Sequence, residues 1–550
     1  MDHRRARWEI AAVVGLLCVL ALELTLALRA DGLTIDEVVY IGSGFRHLLL
    51  SDYRPNPEQP PLAKMVGALP LLALRPHVPA ITDETWSWSY QFVFVANEPG
   101  PLIVWARAPT VLLTVVLAAA TWGWARYALG AAAGLAALAL TVFHPSILAH
   151  GHLITTDAPG TLTMLGGSWV FWWWGRAPSL RRALLVALAV GVAVSTRLTG
   201  WLLLPIFALL LAARLRKQPA AQRRALLRQS AILAACFALV PIVVWASYDY
   251  RYEPYPGRTV AQVPGPWLGL TGRIIAALEK VRALPEAYLE GARFVAEHNA
   301  LGHPTYLLGE MSTKGWPHYY LVAFLVKNTP GFLLALAAAI VLLWRARMSA
   351  DAVELHWLVP ALVTFLAAST GHIQIGERYI LPMYPYLILL IASTLPRFLA
   401  TPRGRAAAGA LLLAHAVPSL LAARGGYISY FNLLAGGREG GHRVLVDSNL
   451  DWGQDLPRLA RWMRDHGVDE IQLAYHGSDD PDRFHIRHED VDGYRLHPTH
   501  PAAGPVHGTF AISPNIRLGI FEPPGKNPWA WLDQKPVDDR AGVYFIYRLP

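Results

Sequence analysis

The chain has 550 residues, of which 54% are hydrophobic and 16% charged, and its formal net charge is +9. Soluble domains carry roughly a quarter charged residues, so the low charge excludes an ordinary soluble protein. The basic excess lies in short loops between apolar segments, which excludes a nucleic-acid-binding groove. The 44 glycines and 41 prolines follow no repeat, which excludes a collagen-like chain, and the two cysteines inside apolar runs exclude a disulfide framework.

Apolar segments of about twenty residues, the length that crosses a bilayer, alternate with polar loops over residues 1–424. We predict about eleven spanning helices, at residues 8–29, 104–126, 129–147, 155–174, 182–196, 198–213, 230–248, 320–344, 354–371, 379–396 and 406–423. The first is predicted to be a membrane anchor, because it is too long for a secretion signal and no small-residue cleavage site follows it. Residues 1–424 are therefore predicted to form a transmembrane domain.

Basic residues indicate the orientation of the chain in the membrane. Arginines precede the first apolar segment, and further basic residues crowd four later loops, at Arg176–Arg182, Arg214–Arg228, Arg345–Arg347 and Arg397–Arg405. By the positive-inside rule the N-terminus and these loops are cytoplasmic, which predicts a multi-pass protein of the cell membrane. The loops 30–103 and 249–318 then lie on the extracytoplasmic side, together with the C-terminal residues.

Residues 425–550 have a different composition, with 13 basic and 17 acidic residues. Leu456–His466 has the periodicity of an amphipathic helix, and three β-rich runs predict short strands at Ile471–Tyr475, Thr509–Ser513 and Val543–Arg548. We expect a small extracytoplasmic α/β domain that packs on the membrane-spanning part.

The first candidate for chemistry, Thr34-Ile35-Asp36-Glu37, follows the first apolar segment. Thr34 and Glu37 have the spacing of a capping box, in which two side chains satisfy free N–H groups at a helix start. Because adjacent helical residues point about 100° apart, Asp36 and Glu37 cannot share one role. We expect Glu37 to be partly structural and Asp36 to be the functional carboxylate.

Three basic residues are candidates for binding an anion. Lys64 lies in the first turn of a predicted helix that begins after two prolines, where helix N–H groups and an ammonium together suit a phosphate. Its alternative role is to snorkel toward lipid headgroups. Arg197, and more weakly Arg107, lie near the extracytoplasmic side against the positive-inside rule, and each therefore requires an anionic partner.

His150, His152 and Asp157 stand at the start of the fourth predicted span. Two histidines and an aspartate suggest a metal site, but histidines two residues apart need an extended backbone and no further ligand is evident. An aspartate at the mouth of a spanning helix is costly unless it faces a polar cavity, so Asp157 is a site candidate. Glu377 and Arg378 open the tenth predicted span, where they alternatively pair with each other at the surface.

Several motifs stand in order on the predicted extracytoplasmic side: Asp36-Glu37, Gln59-Pro60-Pro61-Leu62-Ala63-Lys64, Thr156-Asp157, Arg378-Tyr379-Ile380-Leu381-Pro382, and two C-terminal motifs at residues 430–437 and 447–456. Together they resemble glycosyltransferase family 39, the protein O-mannosyltransferase and aminoarabinose-transferase group with the GT-C fold. The sequence departs from the family at Gln59, where a histidine is usual. Loop 249–318 is also too short for the β-trefoil-type domain inserted in eukaryotic members.

The resemblance implies that a sugar moves from a polyprenyl-phosphate carrier to an extracytoplasmic protein, lipid or glycan, with inversion and without a metal or other cofactor. The sugar would be a hexose or a pentose, with mannose as one candidate. The catalytic carboxylates would be Asp36, as base for the acceptor hydroxyl, with Glu37 and Asp157. The donor phosphate would be held by Lys64, Arg197 and Arg107, and the substrates would contact His152, Glu377, Arg378 and Tyr379.

Two other functions fit parts of the sequence. A transporter or lipid-linked sugar flippase would also place charged residues in the membrane, but it predicts inverted repeats and ionisable groups near the bilayer midplane. The sequence contains no such repeat, and its candidate residues cluster at one face. A non-catalytic assembly or sensor protein would use the C-terminal residues, where Asp447, Asp451 and Asp455 recur at four-residue spacing as a binding edge or as a hinge.

Overall fold

The computed structural model describes residues 3–255, 268–346, 352–491, 506–523 and 525–550. Parts of three predicted segments lie outside the described residues: residues 256–267 of loop 249–318, Arg347 of a basic loop, and residues 492–505 of the C-terminal domain. The side chains of residues 3–6 and 221 are not described either. The described residues are mostly helical, with one β-hairpin and a C-terminal sheet. The predicted class, a polytopic helical membrane protein with a small C-terminal sheet, is confirmed.

Within the described residues, six helices are long and apolar enough to cross a membrane, namely Arg7–Ala30, Pro99–Leu129, Leu198–Lys217, Gln222–Ala246, Glu377–Leu399 and Pro402–Ala422. A helix suits the bilayer because it satisfies its backbone polar groups internally. Leu26, Leu112 and Leu421 on the outer faces are exposed, as expected of surfaces that face lipid.

The predicted span 320–344 is not one straight helix. It forms two helices, Tyr319–Lys327 and Pro330–Ala346, and the chain bends by 117° between them. The two helices count as a seventh span if they are taken together. The break follows from Pro330, because a proline disfavours helical backbone at the preceding residue. Asn328 at the break is extended, and its side chain donates to the Phe324 carbonyl oxygen at 2.8 Å.

Four other predicted spans are shorter or less apolar helices that do not meet the same criteria of length and composition. They are Ala131–Val142, Asp157–Arg176, Leu180–Thr196 and Leu355–Ser369. With the six long helices and the bent pair, these four account for all eleven predicted segments, and the number that crosses the membrane stays a prediction because hydropathy does not distinguish a spanning helix from one buried among others.

Short helices form the connections and interrupt some spans. The first loop contains Ile35–Leu50, Pro61–Ala68, Leu71–Leu74, Thr85–Tyr90 and the π-helical turn Gln91–Val95. Pro145–His150 precedes Asp157–Arg176, and the second loop contains Gly269–Lys280 and Glu286–Leu301. Breaks divide three spans into Leu198–Leu202 with Leu203–Lys217, Ala220–Cys236 with Leu239–Ala246, and Glu377–Met383 with Tyr384–Leu399.

The strands form a hairpin and a mixed sheet. Strands β1 (Thr305–Leu307) and β2 (Glu310–Ser312) pair antiparallel in the second loop. The C-terminal strands are β3 (Ile471–Ala474), β4 (His488–Asp490), β5 (Gly508–Ile512), β6 (Asp539–Ala541) and β7 (Tyr544–Leu549). They form a sheet in the order β4-β3-β5-β7-β6, in which β3 is parallel to β4 and β5, and β7 is antiparallel to β5 and β6.

The predicted C-terminal helix Leu456–His466 and the three predicted strands are confirmed, the strands with ends shifted by one residue. Strands β4 and β6 were not predicted, because each has only three residues, most of them charged, and so lacks the apolar pattern of a strand. Short helical turns complete this part, at Leu433–Ala435, Gly437–Gly440, Gly441–Arg443, Asp447–Asn449, Pro481–Phe484, Pro514–Arg517 and Ala530–Gln534. One apolar core joins Trp124 and Tyr384 of the helix bundle to Leu456 and Ile546, so the sheet packs directly on the bundle.

Candidate functional site

The candidate residues meet at one end of the helix bundle, which we call the site end and define by residues 31–37 and the helix ends that contact them. The first spanning helix ends at Ala30, and helix Leu180–Thr196 ends there too. Helices Asp157–Arg176 and Glu377–Met383 begin there. Residues far apart in the chain are thereby brought to one face.

Glu37 is the centre of a buried network. Its carboxylate accepts hydrogen bonds from the Thr34 N–H, which completes the predicted capping box, and from the Ile154 N–H at 3.0 Å. Arg107 pairs with it at 2.6 Å, and both side chains are fully buried. Burial alone raises the pKa of the Glu37 carboxyl, but Arg107 and the two N–H donors outweigh burial and hold it below its usual range.

Arg107 uses all its N–H groups within the protein. Nε and Nη2 donate to the Glu37 carboxylate. The remaining hydrogens reach the carbonyl oxygens of Leu28 and Asp31 at 2.9 Å and of Gly32 at 2.7 Å. A guanidinium has five N–H groups, and all five are engaged here. This geometry favours a positioning role for Arg107 over the predicted contact with the donor phosphate.

Asp36 begins a row of alternating charges. Arg378 Nη1 donates to Asp36 Oδ2 at 2.9 Å and also lies 4.0 Å from Asp157 Oδ2. Arg197 Nη1 pairs with the other oxygen of Asp157. The side chain of Asp36 is 26% exposed, whereas that of Asp157 is 2% exposed. Asp36 is therefore the accessible carboxylate of this row, which we call the charge row.

Local structure explains how the charge row forms. Asp157 is the first residue of its helix, where a carboxylate complements the helix dipole. Arg197 is extended, with φ −155° and ψ 140°, between helix Leu180–Thr196 and the turn Leu198–Leu202, so its side chain leaves the bundle axis. A Cβ at Gly160 would lie 3.1 Å from Arg197 Cδ, so the glycine lets the arginine pass close to the helix of Asp157.

Lys64 lies near the charge row in the first helical turn after Pro60, as predicted. Its Nζ donates to the carbonyl oxygen of Asn56 at 2.7 Å and to Asn56 Oδ1 at 3.1 Å. Burial lowers the pKa of Lys64 to about 7, although the charge of nearby Glu58 opposes this shift. A Cβ at Gly44 would lie 2.3 Å from the Lys64 carbonyl oxygen, so the helices of Asp36 and Lys64 pack in direct contact.

The residues predicted to contact substrates fall into two groups. The ring nitrogens of His152 contact the Leu148 carbonyl oxygen at 2.8 Å and Asp31 Oδ2 at 3.1 Å. Glu377 accepts hydrogen bonds from the hydroxyls of Ser146 and Tyr384. Both side chains are thus engaged by the protein, which favours structural roles for them.

Tyr379 and Arg378 remain better placed for substrate. The ring of Tyr379 is half-buried, and the guanidinium carbons of Arg197 and Arg378 each lie 5.6 Å from its centre. The ring of Tyr379 is therefore close to both basic groups of the site end.

The histidines considered as metal ligands point to different partners. His152 contacts Asp31, whereas the ring of His150 faces Trp452, with centroids 6.2 Å apart. Among the described residues, no group of three or more His, Cys, Asp or Glu side chains is placed to hold a metal ion.

The three C-terminal aspartates serve different contacts. Asp451 accepts hydrogen bonds from the Ser513 hydroxyl and the Gly453 N–H, and Asp455 pairs with Arg438 and Arg458. Both are buried inside the C-terminal region. Asp447 differs, because it has a φ of 56° and its carboxyl is close enough to interact with Arg378 and Asp36.

Three residues of the site were not singled out in the sequence. Glu58 interacts with both Lys64 and Asp36, and burial raises its pKa. Tyr40 is buried one helical turn after Asp36 and interacts electrostatically with Asp36 and Arg378. Its spacing from Asp36 is a signal from which it could have been predicted. Trp452 lies 4.1 Å from Arg378, ring centre to guanidinium carbon, and no local sequence signal indicates this contact.

Comparisons with known proteins bear on the class of this chain. Residues 100–246 match the profile of a family described as dolichyl-phosphate-mannose-protein mannosyltransferase. No curated protein matches the sequence. The fold is similar to that of the Pmt1–Pmt2 protein O-mannosyltransferase complex of S. cerevisiae bound to the sugar donor, with a TM-score of 0.52 and 13% identity over 74% of this chain and 88% of that chain.

Two further structures cover more of the chain with lower TM-scores. ArnT from Cupriavidus metallidurans bound to undecaprenyl phosphate has a TM-score of 0.47 and 15% identity over 98% of this chain and 97% of that chain. The oligosaccharyltransferase of Archaeoglobus fulgidus has a TM-score of 0.47 and 12% identity over 90% of this chain and 62% of that chain. The family match over residues 100–246 and the similarity of the fold to Pmt1–Pmt2 agree with the resemblance found in the sequence.

Proposed function

We propose that this protein transfers a sugar from a polyprenyl-phosphate carrier to an acceptor on the extracytoplasmic side of the cell membrane, with inversion at the anomeric carbon. The observation that carries the proposal is the charge row, in which Asp36 is exposed and two arginines flank the buried Asp157. The family match supports a lipid-phosphate carrier, because that family is described by its dolichyl-phosphate-mannose donor.

Asp36 is the proposed general base. An inverting transfer needs the acceptor oxygen to attack the anomeric carbon opposite the leaving phosphate, while a base takes its proton. Arg378 binds Asp36 Oδ2 and so fixes the direction of the carboxylate, which leaves Oδ1 for the acceptor hydroxyl. Asp157 is proposed to act indirectly, because its oxygens face Arg197 and Arg378.

Lys64 and Arg197 are the proposed ligands of the donor phosphate. This leaving group is stable as an anion, so it needs electrostatic stabilisation more than protonation. The Lys64 ammonium donates two hydrogen bonds to Asn56 and has a third N–H for the phosphate. Arg197 uses Nη1 for Asp157, and its Nη2 is proposed to reach a phosphate oxygen.

We further propose that the sugar is a hexose or a pentose and that mannose is the first to test, in view of the family's description. The acceptor is a protein, a lipid or a glycan exposed on the extracytoplasmic side. The basic loops support a cytoplasmic N-terminus, which puts the site end on that outer side.

A transporter or flippase is not favoured. Transporters of the inverted-repeat type bind substrate near the bilayer midplane. Here Asp36, Asp157 and Arg378 all lie in the first turns of their helices, and Arg197 directly follows the end of another. The charged groups thus converge on one end of the bundle.

The test uses the full-length protein reconstituted in vesicles with polyprenyl-phosphate mannose and a membrane extract that supplies the acceptor hydroxyls, together with mass spectrometry of the lipid that copurifies with the protein. Release of polyprenyl phosphate with transfer of the sugar supports the proposal, and loss of that release in Asp36→Asn supports the assigned base. Movement of the intact donor across the bilayer without sugar transfer would instead support a transporter.

A further inference from the structure

The C-terminal region binds the backbone of the loop that carries Asp36. The N–H of Gly32 donates to the Gln454 carbonyl oxygen at 2.8 Å, and the N–H of Leu33 donates to Asp479 Oδ2 at 2.6 Å. The N–H of Ile35, next to Asp36, donates to the Trp452 carbonyl oxygen at 2.9 Å. The loop therefore depends on the C-terminal region for hydrogen bonds that no spanning helix supplies.

The same C-terminal segment also binds the backbone next to Arg378. Asn449 Oδ1 accepts a hydrogen bond from the Glu377 N–H at 2.9 Å, and Ser448 Oγ donates to the Ile375 carbonyl oxygen at 2.8 Å. Residues 448–454, which we call the bridging segment, thus contact the immediate neighbours of both members of the Asp36–Arg378 pair.

Trp452 is the residue of the bridging segment that reaches both members. Its carbonyl oxygen binds the backbone beside Asp36, while its ring stacks 4.1 Å from the Arg378 guanidinium carbon, and the side chain is 2% exposed. The turn that presents it requires Gly453, because φ there is +95° and a Cβ would lie 2.9 Å from the Gly477 Cα.

We propose that Trp452 is a positioning residue that holds Arg378 against Asp36, so that docking of the C-terminal region completes the transferase site. The catalytic consequence rests on the proposed function. A guanidinium that is stacked on an indole face loses rotational freedom and keeps its N–H edge directed at the carboxylate. Without the indole, Arg378 is free to turn away, and Asp36 no longer presents the same oxygen to the acceptor.

A purely structural role for Trp452 makes different predictions. The side chain also belongs to an apolar cluster with Leu24, Leu148 and Tyr427, so its removal also weakens packing. Packing loss lowers the amount or stability of folded protein but leaves the turnover of each folded molecule unchanged. The positioning role instead lowers kcat in the folded fraction.

The experiment compares Trp452→Phe and Trp452→Leu in the full-length reconstituted protein, with Trp529→Leu as the matched control. Trp529 is a buried indole of the same C-terminal region that stacks on Phe510, away from the charge row. We expect Trp452→Leu to lower kcat by about 3- to 30-fold, the range of a desolvated cation–π contact, with KM for the donor within about twofold. Trp452→Phe should recover most of the activity, and Trp529→Leu should retain the wild-type kcat per folded molecule.

A double-mutant cycle tests the coupling directly. In an Arg378→Lys background, Trp452→Leu should lower kcat by less than it does in wild type, because the contact it removes is already altered. Equal effects in both backgrounds, or a kcat for Trp452→Leu equal to wild type, would overturn the proposal.

Hydrogen exchange separates this inference from the proposed function. In Trp452→Leu, amides of residues 33–40 should exchange faster than in wild type and in Trp529→Leu, and the amides of residues 62–68 should not change. If the wild-type protein transfers no sugar, the proposed function fails, and the exchange result alone decides whether Trp452 holds this loop. Unchanged exchange at residues 33–40 would then contradict the positioning role.

Discussion

Asp36 Oδ2 accepts a hydrogen bond from Arg378 Nη1 at 2.9 Å although the two residues are 342 positions apart in the chain. Asp36 lies in the first turn of the helix after the first span, and Arg378 lies in the turn that opens Glu377–Leu399. The pair joins early and late segments of the bundle and leaves Asp36 26% exposed. This combination of fixed direction and access supports the proposed role of Asp36 as a general base.

Asp36→Asn tests the base. The amide keeps the size and one oxygen of the side chain but accepts no proton at neutral pH, so we expect kcat to fall by at least about 100-fold. Binding of undecaprenyl phosphate should be unchanged. Asp83→Asn is the control, because Asp83 lies in the same loop with a side chain that is 69% exposed. Wild-type turnover in Asp36→Asn would show that another group takes the proton.

The Asp157–Arg197 pair is expected to contribute to stability as well as to the site. Its side chains are 2% and 10% exposed, so removal of one partner leaves a buried charge without its nearest counterion, and Asp157 then keeps only Arg378 at 4.0 Å. Arg197→Gln or Asp157→Asn should each lower the free energy of unfolding by about 3 kcal/mol. The double variant should lose less than the sum of the two, measured by thermal unfolding in detergent. Additive losses would argue against coupling between the two side chains.

Arg107→Met distinguishes positioning from phosphate binding. Because Glu37 would lose its buried partner, we expect the free energy of unfolding to fall by about 3–5 kcal/mol. Adding Glu37→Gln should recover part of that loss. Undecaprenyl phosphate should bind the folded fraction of Arg107→Met as it binds wild type. A normal unfolding temperature with a tenfold loss of affinity would instead support the predicted contact between Arg107 and the phosphate.

The lowered pKa of Lys64 predicts that the affinity for the polyprenyl-phosphate carrier depends on pH. Its pKa is lowered to about 7, so the ammonium dominates below pH 7 and the neutral amine above. A bound phosphate favours the ammonium, and binding above pH 7 therefore takes up a proton. Relative to Lys64→Met, the wild-type affinity for undecaprenyl phosphate should fall by up to about tenfold per pH unit above 7 and stay level below it. Lys314→Met, at an exposed lysine, should follow wild type, and a constant ratio of wild type to Lys64→Met across pH would contradict this prediction.

The raised pKa of the Asp451 carboxyl predicts that the stability of the protein depends on pH. Burial raises the pKa of its carboxyl to about 7 from an ordinary value of 3.8, so the folded protein holds a proton that the unfolded chain releases. The stability from this group is complete below about pH 4 and is lost as pH rises toward 7. Asp451→Asn carries no such proton, and its thermal midpoint relative to wild type should rise between pH 5 and pH 8. A difference that does not change with pH would show that Asp451 does not titrate in this range.

Much of the fold could be predicted because it depends on local patterns. The amphipathic helix Leu456–His466 was predicted with its observed bounds, and the capping box of Thr34 and Glu37 forms as its spacing indicates. All eleven predicted spans form helices in the described residues, of which six or seven meet the length and composition of a membrane span. The total number of spans stays a prediction, because hydropathy measures how apolar a helix is and not what surrounds it. The bend at Pro330 was missed although proline is a local signal, because the apolar run continues through it.

The candidate site was predictable by residue type and only partly by role. The cost of an aspartate at the mouth of a span singled out Asp157, the positive-inside rule singled out Arg197, and the position beside a capping box singled out Asp36 before any contact was known. The use of every Arg107 N–H group by Glu37 and three carbonyl oxygens could not be read from the chain, since these partners come from another helix and from loop backbone.

By itself, the sequence determined the class of fold: scarce charges and apolar runs indicated a polytopic helical membrane protein, and the ordered motifs added a resemblance to GT-C-type glycosyltransferases. The scarce charges of the composition also indicated where to look for a site, because a membrane tolerates few charges without a partner or a role. Only the tertiary structure decided which charges pair with which. It places the Trp452 ring against the Arg378 guanidinium and pairs Arg107 with Glu37. Pairing depends on distances of a few ångströms between residues hundreds of positions apart, and no local pattern encodes such distances.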